Sequence, residues 1–257
     1  MQKKQFLIGF IIILFLVLAF LVYKNNYIKE ESIIKSIITL GVNDNKENSE
    51  FKLENNYLSV KINLAKDDYV KNQILLNYEK WKQESDIVAT STRENLGLSD
   101  SVPEIKYAYT ADYKIATSTN TISYVYTVYT FTGGAHGSSY KLAYTFDVKG
   151  RMLKIENILP ESQLKTVSDF AFKELSKVSF NKLKEYGDQS MKGLIYEDYI
   201  KDKENIKWIK EGTEAKRENY NTAWLDGNDL VIYFGQYQVW SYAEGDYELR
   251  IPIINLR

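Results

Sequence analysis

The chain contains no cysteine. No disulfide, thiolate metal site, cysteine nucleophile or lipidated N-terminal cysteine can therefore be built from it. A single histidine, His136, stands among 257 residues, too few imidazoles for zinc, which takes two or more His or Cys ligands. The three prolines, Pro103, Pro160 and Pro252, read as the end of a loop, the start of a helix and an edge strand. Basic charge is also scarce where it would count. Setting aside Lys3, Lys4 and Lys24 from the 33 Lys and Arg leaves 30 against 34 Asp and Glu, about −4, without a basic stripe. That argues against a nucleic-acid partner and suits a basic protein partner. No cofactor and no metal are expected.

What the sequence does have begins at its N-terminus. Phe6 to Tyr23, FLIGFIIILFLVLAFLVY, is apolar on every face and long enough, at about 1.5 Å per residue, to cross most of a bilayer core. A cleaved signal peptide is the rival reading, but no small-x-small cleavage site follows. Lys3 and Lys4 precede the run, and Lys24 and Lys29 after it are offset by Glu30 and Glu31. The positive-inside bias then predicts a single-pass cell-membrane protein with a cytoplasmic N-terminus and the rest of the chain extracytoplasmic. Residues 1–24 read as this anchor with a minimal cytoplasmic tail. Residues 25–50 read as a juxtamembrane linker, with an amphipathic piece at Ile28 to Leu40 and a polar stretch after it.

The body reads as α+β: an antiparallel sheet with helices packed on one face, preceded by a single N-terminal transmembrane helix. Residues 51–103 form its N-terminal part. Phe51 to Leu64 alternates as one strand; Asp67 or Asp68 stands as an N-cap; Val70, Ile74, Tyr78 and Trp81 predict a helix over about 68–85. Thr90 to Pro103 reads as a loop. Residues 104–257 begin with Ile105, Tyr107 and Tyr109 on one strand face, continue through Asp112 to Ala116, and turn at Ser118-Thr119-Asn120. Pro160 and Glu161 predict a helix start, and Leu164, Val167, Ala171, Leu175, Val178 and Leu183 its apolar stripe, stopped at Lys182, Lys184 and Gly187. A surface helix over Tyr196 to Lys210 and strands at 221–225, 230–236 and 247–254 complete the pattern. Asp226-Gly227-Asn228-Asp229 fits a hairpin turn better than a calcium loop.

The centre of the body is Thr121 to Gly150. Two runs dense in Tyr, Val, Thr and Phe flank Gly133-Gly134-Ala135-His136-Gly137, which predicts a long hairpin whose glycines supply positive φ. Tyr124, Tyr126, Tyr129, Phe131, Tyr140 and Tyr144 are candidates for an aromatic face, about half of them inward by alternation. A second aromatic concentration, Tyr233, Phe234, Tyr237, Trp240 and Tyr242, follows much later, with Trp240 the expected exposed ring. His136 stays open to three roles: a base for Ser138 oriented by Asp147, a ligand contact, or a structural hydrogen bond that holds the turn.

Tyr129 to Leu159, YTFTGGAHGSSYKLAYTFDVKGRMLKIENIL, resembles the heart of the RsiV/PdaC-type extracytoplasmic domain family. Leu230 to Ile253, LVIYFGQYQVWSYAEGDYELRIPI, resembles the second signature of the same family. The two stand about 95 residues apart, in the family's order. Ser241 occupies the place before Tyr242 where a proline is expected, a departure that should loosen the turn there. The resemblance implies a non-catalytic envelope module, which in the anti-sigma factor RsiV binds lysozyme and in PdaC-type deacetylases accompanies a peptidoglycan enzyme. Neither an anti-sigma segment before the span nor a deacetylase domain after Arg257 is expected.

The reading is thus a membrane-anchored binding module that recognises a lysozyme-like protein or peptidoglycan. The ligand contacts it names are Gly133, Gly134, His136, Gly137, Tyr237, Trp240 and Tyr242. The alternatives are a cell-wall hydrolase that uses His136, and a structural accessory subunit.

Overall fold

Among the described residues the regular structure divides about equally between antiparallel strands and helices. The computed structural model of the protein describes residues 42–43, 49–54, 58–96, 107–133, 135–187, 192–204 and 206–256. The expected span at 6–23 and the juxtamembrane piece at 28–40 lie outside these residues, as do Gly134 and positions 97–106. Among the described residues no helix is long and apolar enough to cross a membrane. The chain divides into two units, Met1–Glu104 and Ile105–Arg257.

In the first unit β1 (Val42–Asn43), β2 (Ser49–Glu54) and β3 (Leu58–Leu64) pair antiparallel in that order. The single strand expected over 51–64 is therefore two, with Phe51 opposite Ile62. Each arm of a hairpin keeps a period of two, so alternation alone does not reveal the turn; Asn55-Asn56 was the available signal. Part of the expected linker is also strand, since Val42 pairs with Phe51 and Ser49 with Leu64.

Helix α1 (Asp68–Leu96) follows. Its N-cap is Asp67, whose Oδ1 accepts the Val70 N–H at 3.0 Å and so satisfies one of the free amides of the first turn. Val70, Ile74, Leu75, Tyr78 and Trp81 are buried, and Phe51 meets Tyr78 at 5.6 Å between ring centroids. The helix runs past the expected stop at Ser85 and takes in Thr90 to Leu96. That stretch has no apolar period, so the pattern faded before the hydrogen-bonded helix did.

The second unit opens with β4 (Tyr107–Thr117), β5 (Thr121–Phe131) and β6 (Ser138–Asp147), a meander in full register from Thr117↔Ile122 and Thr121↔Asp147 inward. β4 runs unbroken through Asp112 to Ala116 up to the turn at Ser118-Thr119-Asn120. A one-turn helix α2 (Ile155–Ile158) and a 3₁₀ turn at Glu161–Gln163 lead into α3 (Leu164–Glu185), which ends before Gly187 at φ +68°. The surface helix expected over 196–210 is instead two pieces, α4 (Tyr196–Tyr199) and α5 (Lys207–Gly212). Between them Asp202 Oδ1 accepts the Glu204 N–H at 3.0 Å, a local bond that competes with helix continuation. Tyr199 and Ile206 are buried with Phe180 rather than covering an end loosely.

Last come β7 (Ala223–Asp226), β8 (Asp229–Phe234) and β9 (Tyr247–Pro252), a second sheet in that order. The α+β class holds, but this unit has two antiparallel sheets rather than one with helices on a single face. The reason is legible in β8, which is apolar on both sides. Leu230, Ile232 and Phe234 bury against Leu164, Val167, Ala171 and Leu175 of α3. Val231 and Tyr233, with Trp224, bury against Ala116, Val125 and Ala143 of the meander. Each such fully buried side chain contributes about 1.5–3 kcal/mol, so a strand covered on both faces is the anchor of this unit. Gly227, at φ +60°, makes the β7–β8 turn, and its N–H donates to Thr117 O at 2.7 Å. Arg250 clasps the same turn through Asp226 at 2.5 Å and Asp229 at 3.5 Å.

Candidate ligand-binding surface

The hairpin loop after β5 and the segment after β8 are far apart in sequence and meet in space. Gly133 takes φ +87°, as the glycine-rich break predicts. Gly137 is needed for a different reason: a Cβ there would stand 2.4 Å from the Tyr129 ring. With that ring lying on it, Gly137 presents a carbonyl that accepts the Tyr242 hydroxyl at 2.8 Å. His136 Nδ1 lies 3.2 Å from the same oxygen and donates to it in the Nδ1–H tautomer. Its ring stacks on Tyr242, with centroids 3.7 Å apart and planes 21° from parallel.

The segment 235–245 is held by its own side chains. Gln238 receives the Gly235 N–H on its amide oxygen at 3.1 Å and donates from its nitrogen to Gly212 O at 3.1 Å and Asn219 O at 2.9 Å. Gly212 comes so close that a Cβ would stand 2.0 Å from Gln238 O. Between these fixed points Tyr237 adopts φ +65°, the only positive φ at a non-glycine residue among those described. For a bulky side chain that conformation costs of order 1–3 kcal/mol, and it persists only where the surroundings impose it. The ring it displays is 55% exposed. It lies 5.6 Å from Tyr242 and 6.5 Å from Trp208 on α5.

Ser241 does not loosen the turn before Tyr242. Its φ of −67° is the angle a proline would fix, and Glu244 Oε2 accepts both its N–H and its hydroxyl at 3.0 Å. A proline would forgo the first of those bonds.

Of the residues the sequence singled out, Gly133, His136, Gly137, Tyr237 and Tyr242 belong to this surface, and Gly134 lies outside the described residues. Trp240 does not belong. Expected to be exposed, it is 4% exposed and sits in the core on α3, its Nε1 donating to Gly245 O at 2.9 Å and Lys182 Nζ resting 4.6 Å from its ring. It stands beyond the strand expected at 230–236 and has no periodic apolar partner there, but β8 ends at Phe234 and the chain after it turns the ring inward.

The expected aromatic face also divides. Tyr124, Tyr126, Tyr140 and Tyr144 fall on one side of the meander by register, with Tyr126 fully buried, whereas Tyr129 falls on the other beside Gly137. Sequence reasoning missed Trp208, an aromatic ring in an otherwise charged helical piece, whose polar neighbours were the available signal. It missed Gln236 too, whose Oε1 accepts the Ser139 N–H at 3.1 Å and ties the hairpin to the later segment.

The chemistry of a His–Ser–Asp relay is not assembled. Ser138 donates to Gln236 at 3.4 Å instead of meeting His136. Asp147 is at the opposite end of β6, roughly 30 Å away at the usual strand rise. There it accepts the N–H groups of Lys149 and Arg151 at 2.9 Å and pairs with the Arg151 guanidinium. The Arg151 backbone bond, reinforced by that guanidinium, holds the Asp147 carboxyl below its usual value. Behind the surface, burial pushes the Tyr233 phenol well above its usual range, and its hydroxyl donates to Ser139 O at 3.4 Å.

Residues 44–139 match the family described as Deacetylase PdaC, and residues 156–253 match the family described as Protein of unknown function (DUF3298). Over 142 residues the chain is 29% identical to the peptidoglycan-N-acetylmuramic acid deacetylase PdaC of Bacillus subtilis (strain 168). That match covers 54% of this chain and 26% of the relative, so the chain spans about a quarter of the deacetylase. Two solved DUF3298 structures are similar to it. One from Bacteroides fragilis has 15% identity and a TM-score of 0.48, covering 81% of this chain and 90% of its own. One from Pseudomonas aeruginosa has 18% identity and a TM-score of 0.47, covering 84% and 92%.

Proposed function

We propose that this chain, of the PdaC/DUF3298 domain type, is a membrane-anchored, extracytoplasmic binding module of the bacterial cell envelope that recognises peptidoglycan or a lysozyme-like protein. The observation that carries the reading is the surface on which two distant aromatic segments are locked together. His136 and Tyr242 stack over the shared Gly137 carbonyl, and Tyr237 is held out to solvent beside them. Such preorganised rings lower the ordering cost of binding. Nothing in this arrangement positions a nucleophile against a base, so the reading is recognition without turnover. The apolar run at 6–23 supports placement in the membrane, and the similarity to a peptidoglycan deacetylase supports the link to the cell wall.

The test is retention of the purified full-length chain, in detergent, on insoluble peptidoglycan and on immobilised lysozyme. Binding to one of them that weakens about tenfold in Tyr237→Ala is the expected result. No retention on either would remove the ligand claim, and turnover of wall fragments that vanishes in His136→Ala would replace it with the hydrolase reading.

A further inference from the structure

We infer that the Tyr237 surface is a saccharide-stacking platform whose ligand is the glycan strand of a polysaccharide built from N-acetylated pyranose units. This rests on the binding-module reading and narrows it to one ligand class. Three features carry it.

First, the patch is made of rings alone. Among the described residues the exposed large apolar side chains here are Tyr237, Trp208 and Tyr129, at 55%, 44% and 38% exposure. Of the exposed aliphatic side chains and methionine, Ile115, Ile122, Val148 and Met152 belong instead to the strands and turn of the meander, Ile195 precedes α4, and Ile254 follows β9. A pyranose ring turns a plate of polarised C–H bonds to one side and hydroxyls to its rim. It is therefore matched by aromatic π faces with polar tips, whereas a protein anchor is more often sunk in a dry pocket among other apolar groups.

Second, the rings form a short row. Trp208 to Tyr237 is 6.5 Å and Tyr237 to Tyr242 is 5.6 Å between centroids, with His136 closing the row against Tyr242. Polar groups border it: Gln236 spends only its amide oxygen on Ser138 and Ser139, which leaves its NH₂ as a donor toward an acetamido or hydroxyl oxygen.

Third, the platform is held rigid against a conformational cost. Tyr237 stays in the left-handed region although asparagine or glycine would occupy it more cheaply, and Gln238 and Gly212 clamp the segment on either side. A surface tyrosine kept at such a cost is explained by what its ring touches.

Trp208 supplies the readout. Of the four tryptophans, Trp81, Trp224 and Trp240 are 8%, 0% and 4% exposed, and Trp208 alone is open to solvent. Titrating the full-length chain with the soluble N-acetylglucosamine tetramer should shift Trp208 emission to the blue and protect it from iodide quenching. Trp208→Phe should abolish the signal. Tyr237→Ala should weaken the binding about tenfold, measured by calorimetry, and Tyr237→Asn, which suits the same backbone, should weaken it equally while melting no lower than the parent. If the tetramer leaves the emission unchanged while peptidoglycan or lysozyme still retains the chain, the glycan assignment fails and the binding reading stands. If all three fail to bind, both fall. Tetramer binding that is indifferent to both Tyr237 variants also overturns the assignment.

Discussion

His136 and Tyr242 lie ring on ring at 3.7 Å, and the carbonyl of Gly137 accepts a hydrogen bond from each of them. A glycine-rich loop of the first sheet is thereby bolted to a 3₁₀ turn of the second. Tyr242→Phe keeps the stack and loses only the hydroxyl bond, so it should cost about 1 kcal/mol. Tyr242→Ala loses both and should cost about 1 kcal/mol more. A double-mutant cycle with His136→Ala, read by urea denaturation, should show coupling of about 0.5–1.5 kcal/mol. Zero coupling would mean that the two rings are neighbours without being partners.

Tyr237 stores strain, and its relief should be measurable. Tyr237→Asn should stabilise the protein by about 1 kcal/mol, a rise of roughly 2–4 °C in melting temperature for a unit of this size. The same variant should bind ligand worse. A stability gain paired with lost function is the mark of a residue kept for its contact; a variant that melts lower would show that the ring packs more than it displays.

Two glycines should respond differently to the same methyl group. Gly137→Ala meets the Tyr129 ring, the end of a side chain that can swing away, so a loss of about 1–2 kcal/mol is expected. Gly212→Ala meets the Gln238 carbonyl, which is backbone, and must move the segment that carries Tyr237. That loss should exceed about 2 kcal/mol and take ligand binding with it. Thermal melts of the two variants side by side decide the order.

The acid limb of stability should depend on Asp147. Its folded-state carboxyl is held below the ordinary 3.8, chiefly by the Arg151 N–H, so its contribution is present above that value and lost as pH falls through the lowered folded one. Asp147→Asn should therefore melt lower than the parent at about pH 6, and the gap should narrow by about pH 3. A gap that stays constant with pH would put the effect on lost turn geometry alone.

At the alkaline end Tyr220 should matter. Burial pushes its phenol from 10.0 up to about 12, and the hydroxyl donates to Thr213 O at 2.6 Å. The raised value favours the neutral form, so its stabilisation is intact below pH 10 and drains as pH climbs from 10.0 through about 12. Tyr220→Phe should be weaker by about 1 kcal/mol at neutral pH and lose less between those limits. Equilibrium denaturation across that range checks the crossover.

The elements that could be read in advance share a physical signature. The β5–β6 hairpin, α3 with its proline start and glycine stop, and the Asp226–Asp229 turn each declare themselves within a few residues of chain. Periodicity and turn chemistry are local properties, so these elements stand where the pattern put them. The division of 51–64 into β2 and β3, the end of α1 and the break between α4 and α5 were missed because the pattern there was continuous, absent or overruled by a side-chain bond.

Composition and local pattern alone determined the α+β class of the second unit, the absence of thiol chemistry, and where in the chain the two aromatic concentrations stand. Five of the seven residues named as contacts, Gly133, His136, Gly137, Tyr237 and Tyr242, stand together on one surface. The Ser241–Glu244 cap and the length of β6 that separates Ser138 from Asp147 are local, but only tertiary structure decided that Trp240 faces the core while Trp208 faces solvent. The reason is that these outcomes depend on where β8 stops and which sheet it is pressed between, a matter of long-range packing that no run of neighbouring residues encodes.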